Sequence, residues 1–236
     1  METIANMGRA VGKIVNSDFT VEYKPRRSPL AYTISESDIN PELDALERKY
    51  LFHWTRTSNT AWPGEKLIDF YRDILTSTAY PRSAYRSLTN ILKTKIIRSS
   101  SEHMPGGAMT VSFSNRAPSE MTELIAWRSR YRLMSFEPYG IGIEKSISST
   151  INILPVLYYD KTKGKKSIDT QTDESWRTQS RGKEADWTRE DEYRHAGDMD
   201  ISDVPKDKMI LICRTRAEAA EVSRVGGIKA VSFTTN

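Results

Sequence analysis

The chain has 236 residues but only one cysteine, Cys213, and three histidines, His53, His103 and His195. A single cysteine excludes an internal disulfide framework and any zinc site built from several thiolates. Three scattered histidines leave little material for a His/Cys metal centre. Long apolar runs are also missing. The longest, Ile153 to Tyr159, is 7 residues and contains Pro155, whereas a membrane-spanning helix needs about 20. The Met-Glu-Thr start has no basic segment leading into an apolar one, so no secretory signal is expected and the cytoplasm is the expected compartment. There is no Gly-x-Gly-x-x-Gly dinucleotide fingerprint, no Walker phosphate loop, no Gly-x-Ser-x-Gly elbow and no His-Glu-x-x-His.

What is present is ordinary in amount. A hydrophobic content of 38% with 28% charged residues is enough for one globular domain with a small appendage. The net charge of +4 is too mild to demand a polyanionic partner, but it is unevenly spread. Residues 61–134 carry 11 basic against 6 acidic side chains, mostly as Arg82, Arg86, Arg98, Arg116, Arg128, Arg130 and Arg132. Clustered arginine suits phosphate recognition; a solvated helix face is the plainer reading of any one of them.

Periodicity sets out the elements. Phe19 to Tyr23 alternates as a short strand, and Asn40-Pro41-Glu42 reads as a cap, a first-turn proline and an acidic first turn opening a short helix. Residues 1–49 thus form an N-terminal elaboration. Tyr50 to Thr55 is the first core strand. Leu67, Ile68, Tyr71, Ile74 and Leu75 recur at helical spacing, as do Tyr85, Leu88, Ile91 and Leu92. Strands are expected at Ile96–Ile97, Met109–Phe113, Tyr139–Ile143, Leu154–Tyr159, Trp187–Arg194, Met209–Cys213 and Ala230–Phe233. Helices are expected from Pro118, carrying Leu124, Trp127 and Tyr131, and over Ala217–Arg224. The polar stretch 161–183 reads as a mobile loop. The order predicts an α+β fold with a mixed or antiparallel sheet rather than a regular βαβ alternation.

Four places have residues suited to chemistry. His53 lies inside the aromatic run Phe52-His53-Trp54-Thr55, where a polar ring needs hydrogen-bond partners. Glu190, Glu192 and Arg194 share one face if their segment is a strand, an arrangement costly to bury without a ligand or a network. Asp191 lies between the two glutamates, and alternate strand residues diverge, which disfavours a carboxylate magnesium site. In Tyr139-Gly140-Ile141-Gly142, glycines at alternate positions clear one face for another backbone or a flat ligand. In Val111-Ser112-Phe113-Ser114-Asn115, hydroxyls alternate with apolar residues, so Ser112 and Ser114 face either a site or water.

The order of these pieces resembles the ADP-ribosyltransferase superfamily, in its His–Tyr–Glu branch. The carrying motifs are the aromatic-His-aromatic-Thr strand, the helix ending Leu88-Thr89-Asn90-Ile91-Leu92, the following Lys95-Ile96-Ile97-Arg98-Ser99, the Tyr-Gly-x-Gly strand and the late Glu-x-Glu. The stretch from Pro138 to the Glu-x-Glu-aromatic-Arg tail is also similar to bacterial abortive-infection proteins of the AbiGi type. The resemblance covers about residues 50–215. It implies a split β-sheet flanked by helices over residues 50–236, and a toxin or antiphage defence effector. Such a protein transfers ADP-ribose from NAD to a nucleic-acid or protein acceptor, without a membrane and with a neutralising antitoxin as a possible partner.

By the same resemblance, His53 with Thr55 binds the adenosine ribose of NAD, and Tyr139 stacks on nicotinamide, with Tyr71, Tyr80 and Tyr85 as rivals. Glu192 is the catalytic glutamate, Glu190 opens the Glu-x-Glu pair, and Ser112 lies beside the cofactor. Arg194 has no fixed counterpart in the family; its guanidinium suits holding a phosphate or orienting a carboxylate. The family usually carries Gly between the histidine and threonine of the first motif; here the residue is Trp54, whose bulk narrows the expected groove. Two other readings of the residues stand beside this one. One is a metal-independent ribonuclease using His53, a glutamate and Arg194. The other is a non-catalytic interaction module whose polar strands face solvent or a partner.

Overall fold

Alternation along the strand Tyr50–Trp54 organises the molecule, because it sends Leu51 to one side of the sheet and Tyr50 and Phe52 to the other. The computed structural model describes residues 12–16, 19–23, 33–101, 104, 107–128, 133–159, 175–180 and 191–236. In chain order, β1 (Gly12–Asn16) and β2 (Phe19–Tyr23) form an antiparallel hairpin. The central strands are β3 (Tyr50–Trp54), β5 (Thr110–Ser114), β8 (Gly140–Glu144), β9 (Leu154–Pro155), β12 (Glu192–Ala196), β14 (Met209–Cys213) and β15 (Ala230–Ser232). They make a 7-stranded sheet in the order β15-β14-β8-β3-β5-β12-β9. Only β14 and β15 run parallel, joined by a helical crossover as a parallel pair requires. The expected α+β fold with a mainly antiparallel sheet is therefore observed.

Short pairs decorate this sheet: β4 (Ile96–Ile97) with β13 (Met199–Asp200), β6 (Trp127–Arg128) with β7 (Leu133–Met134), and β10 (Leu157–Tyr159) in parallel with β11 (Thr178–Ser180). The stretch expected to be a loop thus contains a strand; its flanks, 160–174 and 181–190, lie outside the described residues. The helix expected through Trp127 is instead a 3-10 segment, Pro118–Leu124, that gives way to β6. The hydroxyl of Ser135 accepts from the Ala126 amide and donates to the Leu124 carbonyl. It thereby satisfies backbone groups that another helical turn would have used.

Among the described residues there are three α-helices: α1 (Leu67–Thr76), which forms on its periodicity without a side-chain cap, α2 (Ala84–Thr94) and α3 (Arg216–Gly226). Ser83 caps α2, and a reciprocal Thr215–Glu218 box caps α3. α2 and α3 cover one face of the sheet, packing Leu88, Leu92, Ala219 and Val222 against Leu51, Val111, Phe113, Ile141 and Leu211. On the other face Phe52, Ile210, Ile212 and Val231 lie against Leu43, Leu46, Met121, Phe136 and Phe233. Residues 33–49 belong to this second core. Their 3-10 segment Pro41–Leu46 is capped by Asn40, whose side-chain amide also reaches the Ser232 carbonyl at 3.0 Å. Among the described residues no helix is long and apolar enough to cross a membrane.

Candidate functional site

The sheet opens between β3 and β5. These neighbours share a single partner pair, Phe52 with Ser114, whereas β3 keeps five with β8 on its other side. Beyond that point a side chain takes over from the backbone ladder: the His53 ring reaches across, its Nδ1 lying 3.0 Å from the Ser112 carbonyl. A carbonyl can only accept, so Nδ1 carries the proton and Nε2 is left as an acceptor. Burial holds the His53 pKa below its usual value, outweighing the opposing Ser112 hydrogen bond, and the nearby Arg56 charge pushes the same way.

A cavity of about 380 Å³ occupies this opening, and residues from both faces of the sheet line it. His53 and Phe113 come from the helical face; Trp54, Ser112, Glu192 and Arg194 come from the other. Trp62 and Pro63 add to the wall from the segment before α1, and Gln179 from β11. Ser112 connects the two sides. Its carbonyl accepts from His53, and its hydroxyl donates to Glu192 Oε1 at 2.9 Å. Glu192 and Arg194, two residues apart on β12, form a bidentate pair: Arg194 Nε to Oε1 at 2.8 Å and Nη2 to Oε2 at 3.0 Å. Both side chains are buried, at 8% and 1% exposure. A buried ion pair of this kind holds only when its remaining donors and acceptors are also met.

The positions singled out from sequence divide accordingly. His53, Ser112, Glu192 and Arg194 are brought to one cavity. Thr55 also lines it, but its hydroxyl donates to the backbone carbonyls of Ala84 at 2.9 Å and Tyr139 at 3.1 Å. Tyr139 is not among the lining residues; it lies under α3, edge-on to Tyr85, with its hydroxyl 3.0 Å from Glu218. Glu190 lies outside the described residues.

The alternate glycines do clear a face, and the flat groups that use it are the protein's own. A Cβ on Gly140 would come within 2.7 Å of the Trp54 ring, and one on Gly142 within 2.6 Å of the Phe52 ring. Those two rings stack at 5.0 Å, so Trp54 and Phe52 occupy the face that the glycines clear.

Two members of the arginine-rich segment are committed within the protein, while Arg130 and Arg132 lie outside the described residues. Arg82 is buried, paired with Glu65 and with Asp73, and stacked on Trp62 at 4.1 Å. It fixes a wall of the cavity rather than meeting a phosphate. Arg98 lines the cavity and pairs with Asp198 at 2.5 Å. Among the described residues the wall includes three arginines, Arg56, Arg98 and Arg194, the last two in ion pairs, and one carboxylate, Glu192. Trp62 and Gln179 were not foreseeable as site residues. Trp62 reads as a turn residue before Pro63-Gly64, and Gln179 sits in a stretch with no periodicity.

Together the fold and site define an α+β protein with a cavity at a break in its main sheet, lined by a neutral histidine and a buried glutamate–arginine pair. No family model matches the chain, and neither the curated proteins nor the solved structures contain a match for it.

Proposed function

We propose that the protein is an ADP-ribosyltransferase of the toxin or defence-effector kind, with the cavity between β3 and β5 as its NAD site and a macromolecule as acceptor. One observation carries this reading: the chain His53–Ser112–Glu192, which joins two of the three sequence-predicted catalytic positions through one serine at 3.0 and 2.9 Å. The cavity volume, about 380 Å³, lies within the range of small-molecule sites. Of the arginines on its wall, Arg194 is paired with Glu192 and Arg98 with Asp198, which leaves Arg56 for the pyrophosphate of a dinucleotide.

The roles follow from the hydrogen bonding. Breaking the bond between nicotinamide and ribose builds positive charge on the sugar, which a fixed carboxylate stabilises. Glu192 is held for that task by Arg194 and Ser112. His53 offers Nε2 to a ribose hydroxyl while Nδ1 stays tied to Ser112. The aromatic surface for the leaving group comes from Trp54 or Trp62, which line the cavity, rather than from Tyr139.

The test is incubation of the purified protein with labelled NAD and separate RNA, DNA and protein fractions. The expected result is label on one fraction, lost in Glu192→Gln under conditions where a melting curve shows the variant folded. Absence of both label transfer and nicotinamide release would contradict the proposal. Cleavage of the RNA fraction without NAD would favour a ribonuclease instead.

A further inference from the structure

The guanidinium of Arg194 has little left to offer a ligand. Of its five N–H groups, one goes to Glu192 Oε1 and one to Oε2, one to the Trp176 carbonyl at 3.2 Å, and one to the Gln179 side chain. These partners fall into two sets: the carboxylate of Glu192, and the segment 175–180. That segment pairs with β10 and is no part of the main sheet. β10 is in turn anchored next to the same strand, because the Val156 amide donates to the Glu192 carbonyl at 2.9 Å. Arg194 is therefore a side-chain link between an outlying two-stranded unit and the buried carboxylate. Lysine cannot replace it, since a single ammonium cannot reach both oxygens of Glu192 in a planar fork and also hold Trp176 and Gln179.

We propose that Arg194 is a positioning residue that fastens segment 175–180 to Glu192, so that the aim of the carboxylate and the docking of that segment form one coupled element. The coupling is reciprocal: loosening either end loosens the other. Its structural half stands on the geometry alone, and only its kinetic half rests on the transferase reading.

The test is amide hydrogen exchange on the full chain, comparing wild type with Arg194→Lys and Glu192→Gln. Each variant is expected to speed exchange across 176–180 by about tenfold or more, with α3 and β14 unchanged. Unchanged exchange at 176–180 in either variant would overturn the proposal. With NAD as substrate, Arg194→Lys is expected to lower kcat at nearly constant KM, the mark of an interaction made in the transition state. A raised KM with kcat intact would instead make the guanidinium a substrate ligand and overturn the positioning role. A wild-type protein that does not consume NAD would overturn the transferase reading, and the exchange result would still decide this one.

Discussion

On the face of the sheet turned away from α2 and α3, the two halves differ in chemistry. β14, β8 and β3 present Ile210, Ile212, Phe52 and Trp54 over two glycines. β5 and β12 present Thr110, Ser112, Ser114, Glu192 and Arg194. The first half is close-packed and covered by Leu43, Met121 and Phe233. The second is held by hydrogen bonds and borders a cavity. Apolar filling would be the more stabilising choice in both places, because a buried ion pair seldom outperforms hydrophobic residues of similar size. A polar half on a buried face is thus a specific cost, and it falls beside the cavity.

The sharpest way to break the comparison is to remove one partner from each half. Arg194→Ala leaves Glu192 buried and uncompensated and is expected to cost about 3–5 kcal/mol. Phe52→Ala is expected to cost about the same through the cavity it leaves. The two differ in rescue. The double variant Glu192→Leu/Arg194→Met is expected to recover part of that loss in urea, short of wild type because Trp176 and Gln179 lose their Arg194 partner, while losing any activity. Failure of that rescue would show that the ion pair is needed for folding itself.

A smaller effect sharpens the packed half. Gly142→Ala sets a methyl 2.6 Å from the Phe52 ring and 2.8 Å from Ile210, and is expected to destabilise by about 1–3 kcal/mol. A neutral result would mean that the rings can shift, and that the glycines serve another purpose.

Two titratable groups whose pKa values burial shifts give the smallest predictions, with opposite signs. His53 has its pKa lowered from 6.5 by burial. The unfolded chain therefore takes the proton first, and the stability tied to neutral His53 is present above pH 6.5 and lost as pH falls toward the folded pKa. Glu137 accepts from the amide and hydroxyl of Thr57 at 2.6 and 3.0 Å. Burial nevertheless raises its pKa from 4.5, so its contribution is complete below pH 4.5 and lost as pH rises through the folded value. His53→Gln is expected to flatten the acid side of the melting-temperature profile, and Glu137→Gln to reduce the loss on the rising side. An unchanged profile in either variant would contradict the corresponding burial.

Much of this was legible in the sequence where local signals and burial agree. The cap at Asn40, the periodicity of α2 and the apolar strand Met209–Cys213 all form as their residues indicate. Histidine at 53 and glutamate at 192 stood out because polar groups in buried strands need partners, and they have them. What sequence could not give were choices made by distant contacts. Trp127 fits a helical period but is drawn into a strand through Ser135. Tyr139 begins the expected strand, yet α3 takes its hydroxyl through Glu218. Arg82 read as part of a solvated helix face or of a phosphate-binding cluster, whereas Glu65 and Asp73, 17 and 9 residues away, neutralise it in the interior.

The central claim is that the opening between β3 and β5 is a nucleotide site. It is tested most directly by the melting temperature of the purified chain with and without NAD. At a ligand concentration about 100-fold above Kd, binding adds about 2.7 kcal/mol, or roughly 5–11 °C for a domain of this size. The account predicts an upward shift of that order in wild type, and a much smaller one in a folded Ser112→Val, which lacks the hydroxyl that meets Glu192. No shift at saturating NAD, or an equal shift in Ser112→Val, would contradict it.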